Sequence, residues 1–159
     1  MDLLPLFEWI DTSMLADISK AYGGVFAVVQ MFHLLSLALL GGAVLVGDLR
    51  LLGVMMRDIP SEIVVRNTLK LFNVALIVVL ASGIFMMSAV AIKLYYNEMF
   101  WVKMTSLGLG ILFVYAVRRP LLLSYDHNTI SALVLKSMAV TSMVLWFTVA
   151  ASGRWIGFS

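Results

Sequence analysis

The sequence predicts an all-α fold: an integral membrane four-helix bundle with an amphipathic, interfacial helix at its N-terminus. Three observations carry this reading. Of the 159 residues, 62% are hydrophobic and 13% charged, against about half and about a quarter in a water-soluble domain, and the mean hydropathy is +1.02. The charges cluster, and four gaps between the clusters, at about 21–47, 71–92, 99–117 and 128–153, accommodate the roughly 20 apolar residues that a bilayer demands. All three prolines, Pro5, Pro60 and Pro120, fall outside those gaps, so no spanning ladder loses a backbone donor. Runs such as Ala75-Leu76-Ile77-Val78-Val79-Leu80 lack the alternation of a membrane β-barrel. With no internal repeat, linker or low-complexity segment, residues 1–159 form one transmembrane domain.

The N-terminal stretch places Leu3, Phe7, Ile10, Met14 and Ile18 close to one helical face, with acidic residues mostly between them. It is expected to lie at the membrane interface, or to pack on the mouth of the bundle or on a partner subunit. Asp11, Thr12 and Ser13 are placed to split it into two short helices by capping. The first span has no formal charge between Ala21 and Gly47. Ser82-Gly83 interrupts the second, Lys103 stands near the start of the third, and Lys136 lies in the first third of the fourth. Arg50, Arg57, Arg66, Lys70, Arg118 and Arg119 fall in the two loops on one side. That bias predicts basic loops in the cytoplasm and both termini on the periplasmic side of a bacterial inner membrane.

A net charge of +2 offers no broad cationic surface, which argues against nucleic acid as a partner. The absence of cysteine excludes disulfides, thiolate metal sites, iron–sulfur clusters and thioether-attached haem. Two histidines remain as nitrogen ligands, too few for a His-rich zinc or copper site in one subunit. At helical spacing Gln30, His33, Ser36, Leu40 and Gly47 share a face of the first span that should point inward. His33 falls twelve residues inside Ala21, near the bilayer midplane, where an ionisable group is a functional candidate. Its structural alternative is a hydrogen bond to a serine or carbonyl on a neighbouring helix.

Lys103 and Arg154 are two cations on the same outer side, above that histidine, while Arg154 beside Trp155 also fits an interface anchor. An axial imidazole in an apolar cavity with cations at the rim fits haem b: His33 as iron ligand, Lys103 and Arg154 as propionate partners. Met143 or Met138 are the candidates for a second axial ligand, although methionine in a membrane chain more often serves packing. His127 reads as a loop or capping residue. At the cytoplasmic end of the first span, Asp48 and Arg50 point to different flanks; Asp48 is expected to pair with Arg66 or Arg118, and Arg50 with Glu62. No Ser-His-Asp set, phosphate loop or HExxH spacing occurs.

The segments His33-Leu34-Leu35, Gly47-Asp48-Leu49-Arg50-Leu51-Leu52-Gly53, Phe100-Trp101-Val102-Lys103-Met104 and Ala151-Ser152-Gly153-Arg154-Trp155-Ile156 together resemble an uncharacterised family of small bacterial four-helix membrane proteins. The likeness spans nearly the whole chain after about Val25. More remotely, the early histidine, the following glycine, the arginine ending that helix and the later lysine resemble bacterial membrane protoporphyrinogen oxidases and copper-resistance D domains. The first of these resemblances implies haem or porphyrin handling by His33 and Lys103.

The leading expectation is a membrane b-type haem protein, or haem-bearing subunit, carrying electrons between quinone or a membrane partner and an external redox protein. The alternative is a cofactor-free accessory or scaffold subunit of a larger membrane complex. Porphyrinogen oxidation ranks last, so an electron-transfer or accessory subunit is favoured over a stand-alone enzyme. Expected partners are the lipid bilayer, other membrane or periplasmic redox subunits, or further copies of the chain.

Overall fold

Ser13 shapes the N-terminus first: its hydroxyl accepts from the Ala16 amide, and Thr12 Oγ1 donates back to the Glu8 and Trp9 carbonyls. These local bonds end one helix and start another. In a computed structural model, which describes residues 3–124 and 130–158, the result is α1 (Leu4–Asp11) and α2 (Met14–Ala21). Lys20 and Asp11 clamp the two by a 2.9 Å ion pair. The long helices α3 (Gly23–Leu51) and α4 (Ser61–Ser88) follow, then a short α5 (Ala91–Tyr95) and α6 (Glu98–Leu112). A wide π turn (Phe113–Arg118) carries α6 directly into α7 (Arg119–Ser124). Helix α8 (Ala132–Trp155) ends in a 3-10 turn, Ile156–Phe158.

Four helical stretches, Gly23–Leu51, Ser61–Ser88, Glu98–Leu122 and Ala132–Phe158, are long and apolar enough to cross a membrane. The chain is a multi-pass membrane helical bundle, and among the described residues there is no strand. The observed bounds differ from the charge gaps most at α4, which starts ten residues before the expected span. Arg66 and Lys70 are charged but helical: both are exposed within the first three turns of α4, and their long side chains can reach toward the interface. Pro120 also departs from expectation, since it lies inside the continuous third stretch. It follows the π turn, where the regular hydrogen-bond ladder is already relaxed and the missing donor costs least.

Antiparallel α3 and α4 pack along most of their length, α6 packs along α8, and α3 meets α8 to join the two pairs. Helices α4 and α6 scarcely approach each other, which leaves a seam between the pairs. Three apolar clusters form layers. Leu40, Val44, Phe72, Leu76, Leu107, Trp146 and Val149 fill the middle, with Phe72 edge-on to Trp146 at 5.2 Å. Leu51, Val65, Leu122, Met138 and Ala139 fill the end carrying the α3–α4 loop. At the end carrying both termini, Phe7 of α1 inserts among Tyr95, Phe100 and Trp101, with ring centroids 5.4 to 5.9 Å away. The N-terminus thus packs on the bundle's mouth. Met14 and Leu3, expected on its buried face, are exposed, because the break at Ser13 turns Ala16 and Ser19 of α2 inward instead.

Between the middle and loop-end layers lies a buried ion pair. Arg118 Nη1 sits 2.8 Å from Asp48 Oδ1, with side chains 5% and 0% exposed, and donates to Ser142 Oγ at 3.2 Å. Of the two partners expected for Asp48, the bond goes to Arg118; Arg66 pairs with Glu62 instead. Gly47 makes room for the guanidinium, since a Cβ there would stand 2.5 Å from Arg118 Nη2. The inner stripe Leu107, Gly110, Val114, Arg118 and Leu122 explains the π turn. From Gly110 onward it steps by four residues, which in a regular helix drifts about 120° over three turns; the wider turn absorbs the drift and keeps Arg118 facing inward. Helix α3 closes with a Schellman motif: the Val54 amide reaches the Leu49 carbonyl and the Gly53 amide the Arg50 carbonyl, with Gly53 at φ 73°. Arg50 donates to the Ile59 carbonyl through Nε and Nη2, at 3.0 and 2.7 Å. Its expected partner, Glu62, is taken by Arg66, so Arg50 folds the loop instead of joining the helices.

Asp48→Leu strands the Arg118 charge and is expected to destabilise the detergent-solubilised protein by about 3–5 kcal/mol. Combining it with Arg118→Met should recover most of that loss, read by denaturant unfolding followed by tryptophan fluorescence. Gly47→Ala should destabilise with Asp48 and Arg118 intact.

Candidate functional site

The face of α3 opposite the lipid carries His33, Leu40, Val44 and Gly47 inward, as helical spacing requires. Ser36 is half-buried, but Gln30 is exposed: three residues before His33 it falls on the edge of the stripe and turns out of the bundle. His33 itself is 7% exposed and packs against α4. Its Nδ1 lies 2.8 Å from Ser82 Oγ, and its Cε1 faces Gly83, where an added Cβ would stand at 3.4 Å. The hydrogen bond to a serine on the neighbouring helix is thus present; a ligand role and a purely structural role both require it.

The hydrogen-bond geometry favours one ring tautomer. Ser82 has a single hydroxyl hydrogen, and its Oγ lies 2.5 Å from the Val78 carbonyl, closer than the 2.8 Å to His33 Nδ1. With that hydrogen on Val78, Ser82 accepts and His33 Nδ1–H donates. The Val79 carbonyl, 3.3 Å from the same hydroxyl, offers the ring a further acceptor. In the neutral ring this leaves the lone pair on Nε2, the atom that a metal ion or a proton donor would engage.

Lys103, half-buried on α6, lies within electrostatic range of His33. Its chain runs past α8 at Gly153, where an added Cβ would meet Lys103 Cε and Nζ at 3.5 Å. Arg154, the next residue, is exposed and stacks its guanidinium 4.7 Å from the Phe158 ring centroid. Lys103 and Arg154 thus share one end of the bundle, with Lys103 turned inward and Arg154 outward at the rim. Gly83 and Gly153 flank the two ionisable side chains here, Gly83 against His33 and Gly153 against Lys103, with the buried Val79 one turn before Gly83.

The methionines fall elsewhere. Ser142 is tied through Arg118 to Asp48, and Asp48 lies fifteen residues beyond His33 on α3, about 22 Å along the axis. Met143 follows Ser142, and Met138 belongs to the loop-end cluster. On this register neither comes near His33, because α8 passes the level of Asp48 only at Ser142, ten residues inside its start. His127 lies outside the described residues. Among the described residues no group of three or more His, Asp or Glu side chains forms. Sequence reasoning noted Ser82-Gly83 without assigning it a partner; the signal was a polar and a small residue together at mid-span, facing an equally isolated histidine. Gly153, Ser142 and Thr68 had no such signal, since a small residue in an apolar helix is commonplace.

In uniformly 15N-labelled protein carrying His127→Gln, the remaining imidazole is expected to show a protonated Nδ1 and an unprotonated Nε2 at neutral pH. Ser82→Ala should erode that preference. The opposite tautomer in the parent protein would contradict the assigned hydrogen-bond direction.

No curated protein and no solved structure matches this chain. The model of the Family of unknown function (DUF6644) matches residues 6–159, nearly the whole length, and the chain belongs to that family.

Proposed function

We propose that the protein is a membrane b-type haem protein, or the haem-bearing subunit of a larger assembly, passing electrons between quinone or a membrane partner and an external redox protein. The observation that carries this reading is the setting of His33: a buried imidazole inside an apolar membrane bundle, with Nδ1 2.8 Å from Ser82 Oγ and Lys103 within electrostatic range. The donor set suits haem. His33, oriented by Ser82, would bind its iron, and Lys103 and Arg154, one within the bundle and one at the rim, would offset the charge of its propionates. When bound, haem supplies a one-electron relay. The chain's own work is to hold the imidazole in one tautomer, to keep water from the level of His33 with the aromatic cap around Phe7, and to balance anionic charge with Lys103.

The same reading places the protein in a bacterial inner membrane with both termini on the periplasmic side. Arg50, Arg57, Arg66, Lys70 and Arg119 gather at the opposite end, exposed or half-buried, which is the cytoplasmic signature, while Arg118 is buried with Asp48 and does not count toward it. Because the chain has no cysteine, Met55→Cys in the α3–α4 loop provides a unique thiol. It should react with an impermeant maleimide only after the membrane is opened, and labelling in intact cells would reverse the orientation.

A second reading, a cofactor-free accessory subunit, is favoured by one observation: α1 and α2 leave Trp9 69% and Met14 77% exposed, apolar surface that suits a partner. A pyridine haemochrome assay on protein taken from its native membrane separates the two. Haem bound in the parent protein, and lost at least tenfold in His33→Ala with helicity retained, is the expected result. A colourless protein that co-purifies with partner subunits would replace the first reading by the second, and a Soret band unchanged in His33→Ala would remove His33 as the ligand.

A further inference from the structure

Far from His33, the seam between α4 and the α6–α7 stretch opens into a cleft of about 150 Å³ at the end of the bundle away from the termini. It is lined by Arg66, Leu69, Lys70 and Asn73 of α4 and by Tyr115 and Arg119 across the seam. Arg66, Lys70 and Asn73 stand at i, i+4 and i+7, so one face of α4 delivers two cations and an amide to the same space. Tyr115 donates its hydroxyl hydrogen to Asn73 Oδ1 at 2.7 Å, which joins the walls and leaves the Asn73 amide hydrogens directed to other acceptors.

Among the described residues the charge in this cleft is unbalanced. Arg66 forms an exposed i, i+4 pair with Glu62, an exchangeable contact of small worth. Among the described residues neither Lys70 nor Arg119 has an ion-pair partner, although they line the same cleft. Below the cations the walls turn apolar: Ile77, on the stripe of Lys70 and Asn73, is 68% exposed, and Leu112, one turn from Tyr115, is 61% exposed. Three cations and an amide donor above exposed apolar helix faces match one chemistry, a phosphate monoanion attached to acyl chains.

We propose that this cleft binds the headgroup phosphate of an anionic glycerophospholipid, with Lys70 and Arg119 as its principal ligands and its chains lying on the exposed faces of α4 and α6. The space is smaller than the roughly 300–1,000 Å³ of a drug-sized ligand pocket and suits a headgroup alone. Basic pockets between membrane helices recognise anionic headgroups by this arrangement, and the seam that α4 and α6 leave open admits the lipid from the side. The site is separate from His33 and stands or falls independently of haem.

The test uses the full chain in neutral maltoside micelles, with thermal unfolding recorded against added phosphatidylglycerol, phosphatidylcholine or inorganic phosphate. Phosphatidylglycerol should raise the unfolding temperature saturably, while phosphatidylcholine and phosphate at the same concentration should not. Lys70→Gln with Arg119→Gln should weaken the apparent affinity roughly 20–30-fold, about fivefold for each charge removed. Lys20→Gln with Lys93→Gln, at the other end, should leave it unchanged. Lys70→Arg with Arg119→Lys, which preserves charge and fold, should retain most of the binding. Equal stabilisation by the two lipids, or an affinity for phosphatidylglycerol unaltered in the Gln variant, overturns the site. Full stabilisation by inorganic phosphate alone overturns the lipid as its occupant.

Discussion

Arg118 carries its charge into a membrane bundle and meets Asp48 there, with almost no access to solvent on either side chain. In that setting a lone guanidinium or carboxylate is costly, so each residue makes the other a condition of folding. The pair touches three helices: Asp48 belongs to α3, Arg118 to the end of the α6 stretch, and Ser142 to α8. Gly47 adds the constraint of space, and Thr68 of α4 closes the fourth side within 3.3 Å of the position a Gly47 Cβ would take. Arg118 Nε has no hydrogen-bond partner among the described residues. The pair therefore selects one register of four helices more than it maximises stability.

That register determines what faces what at the other end. With α3, α4 and α8 indexed by Asp48, Thr68 and Ser142, helical rise brings His33 level with Ser82 and Gly83, and Lys103 level with Gly153. Apolar packing alone leaves rotation and sliding of lipid-facing helices weakly specified, because hydrocarbon surrounds them either way. The polar contacts at two depths remove that freedom, and Phe7 in its aromatic cage closes the mouth above them.

Hydrophobic length was enough to read four spans, because a bilayer requires it of any helix that crosses it. The inward face of α3 was legible for the same kind of reason: His33 and Gly47 recur at helical spacing among residues indifferent to lipid. Helix ends were less legible. Arg66 and Lys70 ended the span by charge yet continue the helix, and Pro120 was read as a boundary although a π turn carries the backbone through it. Partner choice was half legible: Asp48 had two candidate arginines, and sequence holds no information on which one the wide turn aims inward. The depth of Met143 and Met138 was not legible either, since nothing in the sequence says that α8 runs ten residues before it comes level with Asp48. Gln30 shows the limit of a periodic face, whose outermost member can turn out to lipid.

The π turn divides the third crossing helix into two parts with separate allegiances. Above it, Gly110 rests against the Trp146 indole; at its lower end, Arg118 answers to Asp48. A wide turn holds about one residue more than a regular one, so it acts as a mechanical joint whose setting is counted in residues. Deleting one residue from 113–117 would return the joint to regular pitch and leave Arg118 seven residues after Gly110, within about 20° of the same face, so the acid would keep its partner. Inserting one would add about 100° of rotation below the joint and carry Arg118 away from Asp48. Tolerance to length change at this point is therefore one-sided: the joint can give up a residue but has no room to take one in.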